Sequence, residues 1–193
     1  DDLGANLSWE ETKSHMYGKN TELLVRVFGK DRFTPEEMDR LSIEKEKRYQ
    51  QEYRPYLQLI PGLQQFLEKA HALNIPMAIG SAATMFNIDF AVDNLNIRHF
   101  FKGIVSGEDV QISKPHPETY LKAAEQLGIA PGNCLVFEDA PKGVEAAQNA
   151  GMPSVVLTLL HDKEEFAQYN NIIHYITDYI NLAPVELLQS MAV

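Results

Sequence analysis

Cysteine is almost missing from the 193-residue chain, which contains only Cys134. A single cysteine excludes an intrachain disulfide and is typical of proteins in a reducing compartment, so we expect a cytoplasmic location. Long apolar runs are missing too. None reaches the ~20 residues that a transmembrane helix needs, and no signal-peptide pattern opens the chain, so the sequence predicts no association with a membrane.

Positive charge is also in short supply. The chain has 17 lysines and arginines against 27 aspartates and glutamates, which gives a formal net charge of −10. Such a chain has no general attraction for nucleic acid or for anionic lipid. An anionic ligand would therefore have to be bound by a local group of donors or by a metal ion.

The first sixty residues contain helix signals and no strand pattern. Capping boxes at residues 8–11 and 34–37 mark two helix starts, and apolar residues recur at helical spacing between them. The segment 35–53 is dense in Glu, Lys, Arg and Gln, and we interpret its charges as a solvated helix face. We therefore predict three helices, which form a small all-helical domain over residues 1–58.

From Pro61 onwards, short apolar strands alternate with amphipathic helices. The strands are expected at residues 76–80, 103–106, 134–137, 154–157 and 172–176, and the helices at 61–73, 84–95, 117–128, 140–150 and from 184. This alternation predicts an α/β domain over residues 59–193, with a Rossmann-like parallel sheet and helices on both faces. Ligands of such sheets bind beyond the carboxyl ends of the strands, which selects residues 81–82, 106–114 and 138–139.

Two adjacent carboxylates, Glu138 and Asp139, directly follow the strand at 134–137. Their mutual repulsion and partial burial both cost free energy unless a cation compensates. A helix cap would explain Asp139 alone but not the pair. Because Mg²⁺ takes oxygen ligands and keeps waters that a phosphate can replace, we predict a Mg²⁺ site at these two residues.

Lys114 and Ser81 are candidate anion-binding residues. Lys114 precedes two prolines that restrict the backbone, so its ammonium stands on a stiff loop, although an ordinary exposed lysine in a proline turn is the alternative. Ser81 ends a strand before a helix, where its hydroxyl and the backbone N–H groups of Ser81 and Ala82 suit an anion. A serine at this place is also a common helix N-cap.

Taken together in their order and spacing, these residues resemble the haloacid dehalogenase superfamily, in its beta-phosphoglucomutase-like branch with a helical cap. The most specific segment is Phe137-Glu-Asp-Ala-Pro-Lys-Gly143, and the match runs from about Met16 to Leu157. The resemblance implies a catalytic and phosphate-binding role for Ser81 and Lys114. It also implies that residues 1–58 are the cap domain, in which Lys19 and Asn20 belong to a substrate-binding loop.

The nucleophile motif of that family is missing. In the family, an aspartate at the end of the first sheet strand attacks phosphorus, and a second aspartate two residues later is the general acid and base. The motif reads D-x-D-G-T/V after an apolar strand, whereas Asp1-Asp2-Leu3-Gly4 has the wrong spacing. We therefore expect this chain to be an N-terminally incomplete version of a longer enzyme, with a core that lacks its first strand.

The resemblance implies a Mg²⁺-dependent phosphatase that hydrolyses a small phosphomonoester, for example a sugar phosphate. A sugar-phosphate mutase stays open. Thr21, Ala83 and Thr84 stand where the mutases grip a second phosphate with arginine, serine and lysine, but Lys19 or Lys45 could compensate. If the chain is complete, a non-catalytic domain that binds phosphate or a partner chain is the third reading. We expect a monomer whose partner is a small phosphorylated metabolite rather than nucleic acid.

Overall fold

The N-terminal part of the chain is helical, as predicted. The computed structural model describes residues 3–15 and 17–191, so the expectations for Asp1, Asp2 and Met16 lie outside the described residues. The N-terminal helices are α1 (Trp9–His15), α2 (Asn20–Phe28) and α3 (Pro35–Tyr53), followed by a 3-10 turn at Arg54–Tyr56. Both predicted capping boxes form, since Ser8 and Thr34 each exchange hydrogen bonds with the glutamate three residues later.

The N-terminal helices bury almost no side chain. Neither α1 nor α2 contains a buried described residue, and α3 contains one, Glu46. The predicted solvated face is therefore wrong for Glu46, because Asn20, Lys45 and Asn87 all donate hydrogen bonds to its carboxylate. These helices are attached to the remainder of the molecule mainly by polar side chains.

Five strands and five further α-helices follow in the described residues up to 191. The strands are β1 (Met77–Gly80), β2 (Phe101–Val105), β3 (Val136–Glu138), β4 (Ser154–Leu157) and β5 (Ile172–Ile176). The helices are α4 (Leu63–Ala72), α5 (Met85–Asn94), α6 (Glu118–Leu127), α7 (Pro141–Asn149) and α8 (Pro184–Ser190). All were predicted within two residues at each end, except that α8 was given only a start. No described helix is long and apolar enough to cross a bilayer.

All strand pairs are parallel, as predicted, but within the described residues they form two sheets. One contains β1 and β2, and the other contains β3, β4 and β5 in that order. All four residues of β4, which has a neighbour on each side, are buried, whereas all four residues of β1 are only half-buried. The unpaired edges of β1 and β3 account for this difference in burial.

Helices cover both faces of the two sheets and connect them. Because successive strand residues point to opposite faces, the partners of neighbouring residues identify the two layers. Val155 packs with residues of α4 and α8, whereas Val156 packs with α7. Leu63 of α4 contacts the apolar clusters of both sheets, and α6 packs against β1 through Ala123 and against β3 through Ala124. The shared helices bring the carboxyl ends of β1 and β3 together.

Candidate active site

Lys114 lies between the carboxyl ends of β1 and β3. Its Nζ donates hydrogen bonds to Glu138 Oε1 at 2.5 Å, to the Tyr120 hydroxyl at 2.8 Å and to Gly80 O at 3.3 Å. The side chain is 12% exposed, so it is not the exposed lysine that the alternative reading required. The ammonium therefore joins the ends of two strands that do not pair with each other, at the place expected from the strand-end rule.

Glu138 is saturated with hydrogen-bond donors. Oε1 accepts from Lys114 and from Tyr120, and Oε2 accepts from the backbone N–H groups of Asp139 and Ala140. A Cβ at Gly143 would overlap the Glu138 carboxyl group, so the glycine of this motif lets the first turn of α7 pack directly on the carboxylate. The position of Glu138 is therefore determined on every side.

The two adjacent carboxylates have opposite electrostatic environments. Burial opposes ionisation of Glu138, but the charge and hydrogen bonds of Lys114 outweigh it and hold the pKa below its ordinary value of 4.5. At Asp139, burial and the neighbouring Glu138 carboxylate raise the pKa above 3.8. The charge of Lys114 offsets this rise only in part, so Asp139 is a carboxylate that is exposed to solvent and incompletely compensated.

This donor set fits Mg²⁺, which prefers carboxylate oxygens. Asp139 is the better placed ligand, because it is exposed and only partly compensated by Lys114, whereas the Glu138 carboxylate already accepts four hydrogen bonds. No group of three or more His, Cys, Asp or Glu side chains with metal-binding geometry occurs in residues 3–15 and 17–191. Further ligand atoms would have to come from water, from a bound phosphate or from outside the described residues.

Ser81 and Ala82 line a cavity of about 1240 Å³. Ser81 N–H donates to Val105 O at 2.9 Å, so the prediction that this N–H serves an anion is wrong. Ser81 Oγ accepts from Ala83 N–H at 3.1 Å, which leaves the hydroxyl hydrogen available to an anion. Ala82 O packs so closely on Gly107 that a Cβ there would overlap it. The loop at the end of β1 is thereby held against the loop at the end of β2.

The predicted loop residues Lys19 and Asn20 line the same cavity from the N-terminal helices. Lys19 Nζ donates to Val110 O at 2.6 Å, and Asn20 Nδ2 donates to Glu46 Oε1. Both side chains are therefore held by protein acceptors. They lie on the opposite side of the cavity from Ser81 and Ala82. Lys114, Glu138 and Asp139 do not line the cavity, and Lys114 reaches its edge through the hydrogen bond to Gly80 O.

Sequence reasoning missed two site residues, Tyr120 and Glu46. Tyr120 is 6% exposed, and its hydroxyl donates to Glu138 Oε1 at 2.6 Å. Its position in an amphipathic helix indicates a core residue, so no sequence signal distinguished it. Glu46 lies on the least exposed face of α3, which residues 38, 42, 46 and 50 form at helical spacing. Only Met38 among these four is apolar, so the apolar pattern of the sequence did not reveal this face.

The comparison with known families decides the family. The model of the haloacid dehalogenase-like hydrolases matches residues 2–157. The chain belongs to this family. The solved structure of beta-phosphoglucomutase from Clostridium difficile superposes with a TM-score of 0.85 and 24% identity, over 99% of this chain and 85% of that one. At this identity the likeness establishes the fold, which is the Rossmann-like core with a helical cap that the sequence predicted.

Two curated relatives of this haloacid dehalogenase-like chain are named phosphatases. The fructose-1-phosphate phosphatase YqaB of Escherichia coli is 39% identical over 85 residues, which are 44% of this chain and 45% of that protein. The chloroplastic 5-amino-6-(5-phospho-D-ribitylamino)uracil phosphatase of Arabidopsis thaliana is 32% identical over 143 residues, 74% of this chain and 38% of that protein. The chain thus matches less than half the length of either relative.

Proposed function

We propose that the protein to which this chain belongs is a Mg²⁺-dependent phosphatase that hydrolyses a small sugar phosphate or a similar phosphomonoester. The observation that carries the proposal is the position of Lys114, whose ammonium joins the end of β1, beside Ser81, to the acidic pair at the end of β3. The Ser81 loop, the largely enclosed ammonium of Lys114 and two carboxylates thus lie at one edge of the core, which supports phosphate binding there. The names of the curated phosphatase relatives support the same reaction class.

The described residues would bind and orient the phosphate rather than break its ester bond. The Ser81 hydroxyl and the Ala82 N–H would hold phosphate oxygens, and Lys114 would neutralise charge that develops on them. Glu138, saturated by four donors, would keep Lys114 in place. Asp139, together with Glu138, would hold Mg²⁺, which when bound supplies further neutralisation of the phosphate charge.

The nucleophile would be an aspartate in a preceding segment that is not in this chain. Its carboxylate would attack phosphorus as the ester P–O bond breaks, a second aspartate would protonate the leaving oxygen, and water would then release phosphate from the aspartyl-phosphate. The two unpaired edges of β1 and β3 support this part of the proposal, because a further parallel strand between them would join the two sheets. Its carboxyl end would lie beside Lys114.

Phosphate release by the longer protein tests this proposal. With Mg²⁺ and sugar monophosphates, beginning with fructose 1-phosphate, we expect hydrolysis by the wild type and a loss of at least about 100-fold in kcat for Asp139→Asn. Asp31→Asn, at an exposed position between α2 and α3, is the matched control and should keep its activity. Full activity of Asp139→Asn would refute the assignment.

The sugar-phosphate mutase is the second candidate, since the fold is shared with beta-phosphoglucomutase. A mutase would require a bisphosphate and would give an isomeric sugar phosphate without releasing phosphate. The same assay, followed by phosphorus NMR of the products, separates the two. Action as a monomer in the cytoplasm on a small phosphorylated metabolite, with residues 1–58 as a cap over the site, completes the proposal.

A further inference from the structure

The cavity beside Ser81 is bounded on its other side by the N-terminal helices. Residues of α2 and α3 line it together with Ser81, Ala82 and Asn87 of the α/β part. One small ligand can therefore contact the Ser81 loop and the N-terminal helices at once. The side chains of those helices that line the cavity therefore determine which group a ligand can carry in addition to its phosphate.

Glu46 organises that wall. Its whole-residue exposure of 6% is the lowest of any charged residue among those described. Oε1 accepts hydrogen bonds from Lys45 Nζ at 2.7 Å and from Asn20 Nδ2, and Oε2 accepts from Asn87 Nδ2. Lys45 Nζ also donates to Asn20 Oδ1 at 3.0 Å, and Gln50 Nε2 donates to Asn87 Oδ1 at 3.0 Å. Each member of the cluster is thus oriented by at least one other.

The cluster offsets part of the positive charge that a second phosphate would need. Lys45 is paired with the Glu46 carboxylate, and the ammonium of Lys19 keeps its charge but is held by a backbone carbonyl of the α/β part. Thr84 Oγ1 is buried and has no hydrogen-bond partner among the described residues, so it presents no exposed hydroxyl. The described lining of the cavity contains as many positive as negative side chains, which are Lys19, Lys45 and Lys47 against Asp39, Glu46 and Glu108.

We propose that Glu46 is a specificity-determining residue, which by neutralising Lys45 makes this wall select monophosphate esters with an uncharged, hydroxyl-bearing group over bisphosphates. The inference rests on the proposed function and narrows its substrate class. A hydroxyl both donates and accepts, so it matches a wall of amides, an ammonium and a carboxylate. A second phosphate dianion would approach the Glu46 carboxylate and would be repelled by it.

The test compares one sugar with and without its second phosphate. We expect the wild-type longer protein to prefer fructose 1-phosphate over fructose 1,6-bisphosphate by at least about tenfold in kcat/KM. Glu46→Gln keeps the shape of the side chain but frees the charge of Lys45. It should reduce this preference by about tenfold, mainly through a lower KM for the bisphosphate. Glu44→Gln, on the same helix with a 64% exposed side chain, should leave the ratio unchanged.

Two outcomes would overturn the inference: a wild type that prefers the bisphosphate, or a Glu46→Gln ratio within twofold of the wild-type ratio. The first needs no variant, so it decides even if Glu46→Gln does not fold. Calorimetric binding of both esters to the wild-type protein separates this inference from the proposed function. Selective binding of the monophosphate without hydrolysis would reject the proposed phosphatase activity and support the selectivity. Equal hydrolysis of both esters would support the phosphatase activity and reject the selectivity.

Discussion

In the part of the chain that the structure describes, two lysine–glutamate pairs have a carboxylate side chain at most 10% exposed, and they are built differently. Lys114 and Glu138 have side chains that are 12% and 10% exposed, and they lie among packed strands and helices of the core. Lys45 and Glu46 are 42% and 8% exposed and lie in a cavity wall, where side-chain amides from α2 and α5 complete the cluster. The first pair is enclosed by the core, which fixes its geometry, whereas the lysine of the second pair is exposed to the cavity.

This difference separates the two tasks that we propose for the protein. A saturated, enclosed carboxylate suits the invariant part of a phosphoryl-transfer reaction, since nothing near it needs to change with the substrate. A carboxylate held by amides at a cavity wall suits selection, because its charge acts on whichever group enters.

Breaking the enclosed pair should have the largest effect. Lys114→Met leaves Glu138 buried without its cation, and we expect the free energy of unfolding to fall by about 3–5 kcal/mol at pH 7. Lys122→Met, which breaks the more exposed pair with Glu118, should lower it far less, because solvent screens that pair. Urea unfolding of the three proteins measures both values, and equal losses would contradict the comparison.

The same variant has a distinctive pH dependence. In the wild type the pKa of Glu138 is held below 4.5, so the contribution of the pair is present above pH 4.5 and is lost as the pH falls through the lowered pKa. Without Lys114, only the hydrogen bonds from Tyr120 and the backbone oppose the effect of burial. The pKa of Glu138 should therefore rise, so the deficit of Lys114→Met should be small in acid and grow as the pH rises above 4.5. A deficit that is constant between pH 4 and pH 8 would show that lost packing, not charge, is the cause.

Gly143→Ala should have an intermediate effect. Alanine is favoured over glycine in helices by about 1 kcal/mol, yet a Cβ here would overlap the Glu138 carboxyl group, so we expect a net loss of about 1–3 kcal/mol. Gly132→Ala is the control, since the added methyl group meets nothing within 4 Å. Thermal unfolding compares the two variants. A Gly143→Ala protein as stable as the wild type would mean that Glu138 moves without cost.

Loss of one amide from the Glu46 cluster should have the smallest effect. Asn87→Ala removes a donor to Glu46 and an acceptor for Gln50, and we expect a loss of about 1–2 kcal/mol in the free energy of unfolding. Asn94→Ala lies in the same helix and removes only a bond to Phe90 O, so it should change stability by less than about 0.5 kcal/mol. If Asn87→Ala cost as much as Lys114→Met, the two clusters would not differ in the way described.

Most of the fold was predictable because its signals are local. Capping boxes, apolar spacing and strand-helix alternation placed every helix and strand of the described chain, and the family model confirmed the resemblance. The division into two sheets was not predictable, since it depends on which strand edges meet. The start of β3 was also misplaced, because Cys134 ends a 3-10 turn rather than opening the strand.

The site was only partly readable from sequence for a similar reason. The order of Ser81, Lys114 and the acidic pair indicated one site, because the ends of parallel strands meet at one edge. The partners that orient these residues could not be inferred. Tyr120 reads as an ordinary core aromatic, and its hydroxyl contacts Glu138 only because α6 crosses behind β3.

By itself the sequence determined the α/β class, the family and the residues that carry charge at the strand ends, since these follow from local spacing and residue chemistry. Only the tertiary structure decided how those charges are compensated. Glu46 and Glu138 both stand beside other charged residues in the sequence. The density of charge around Glu46 predicts a solvated side chain, and that prediction is wrong. Burial and hydrogen-bond partners distinguish such residues, and both arise from segments that are distant along the chain.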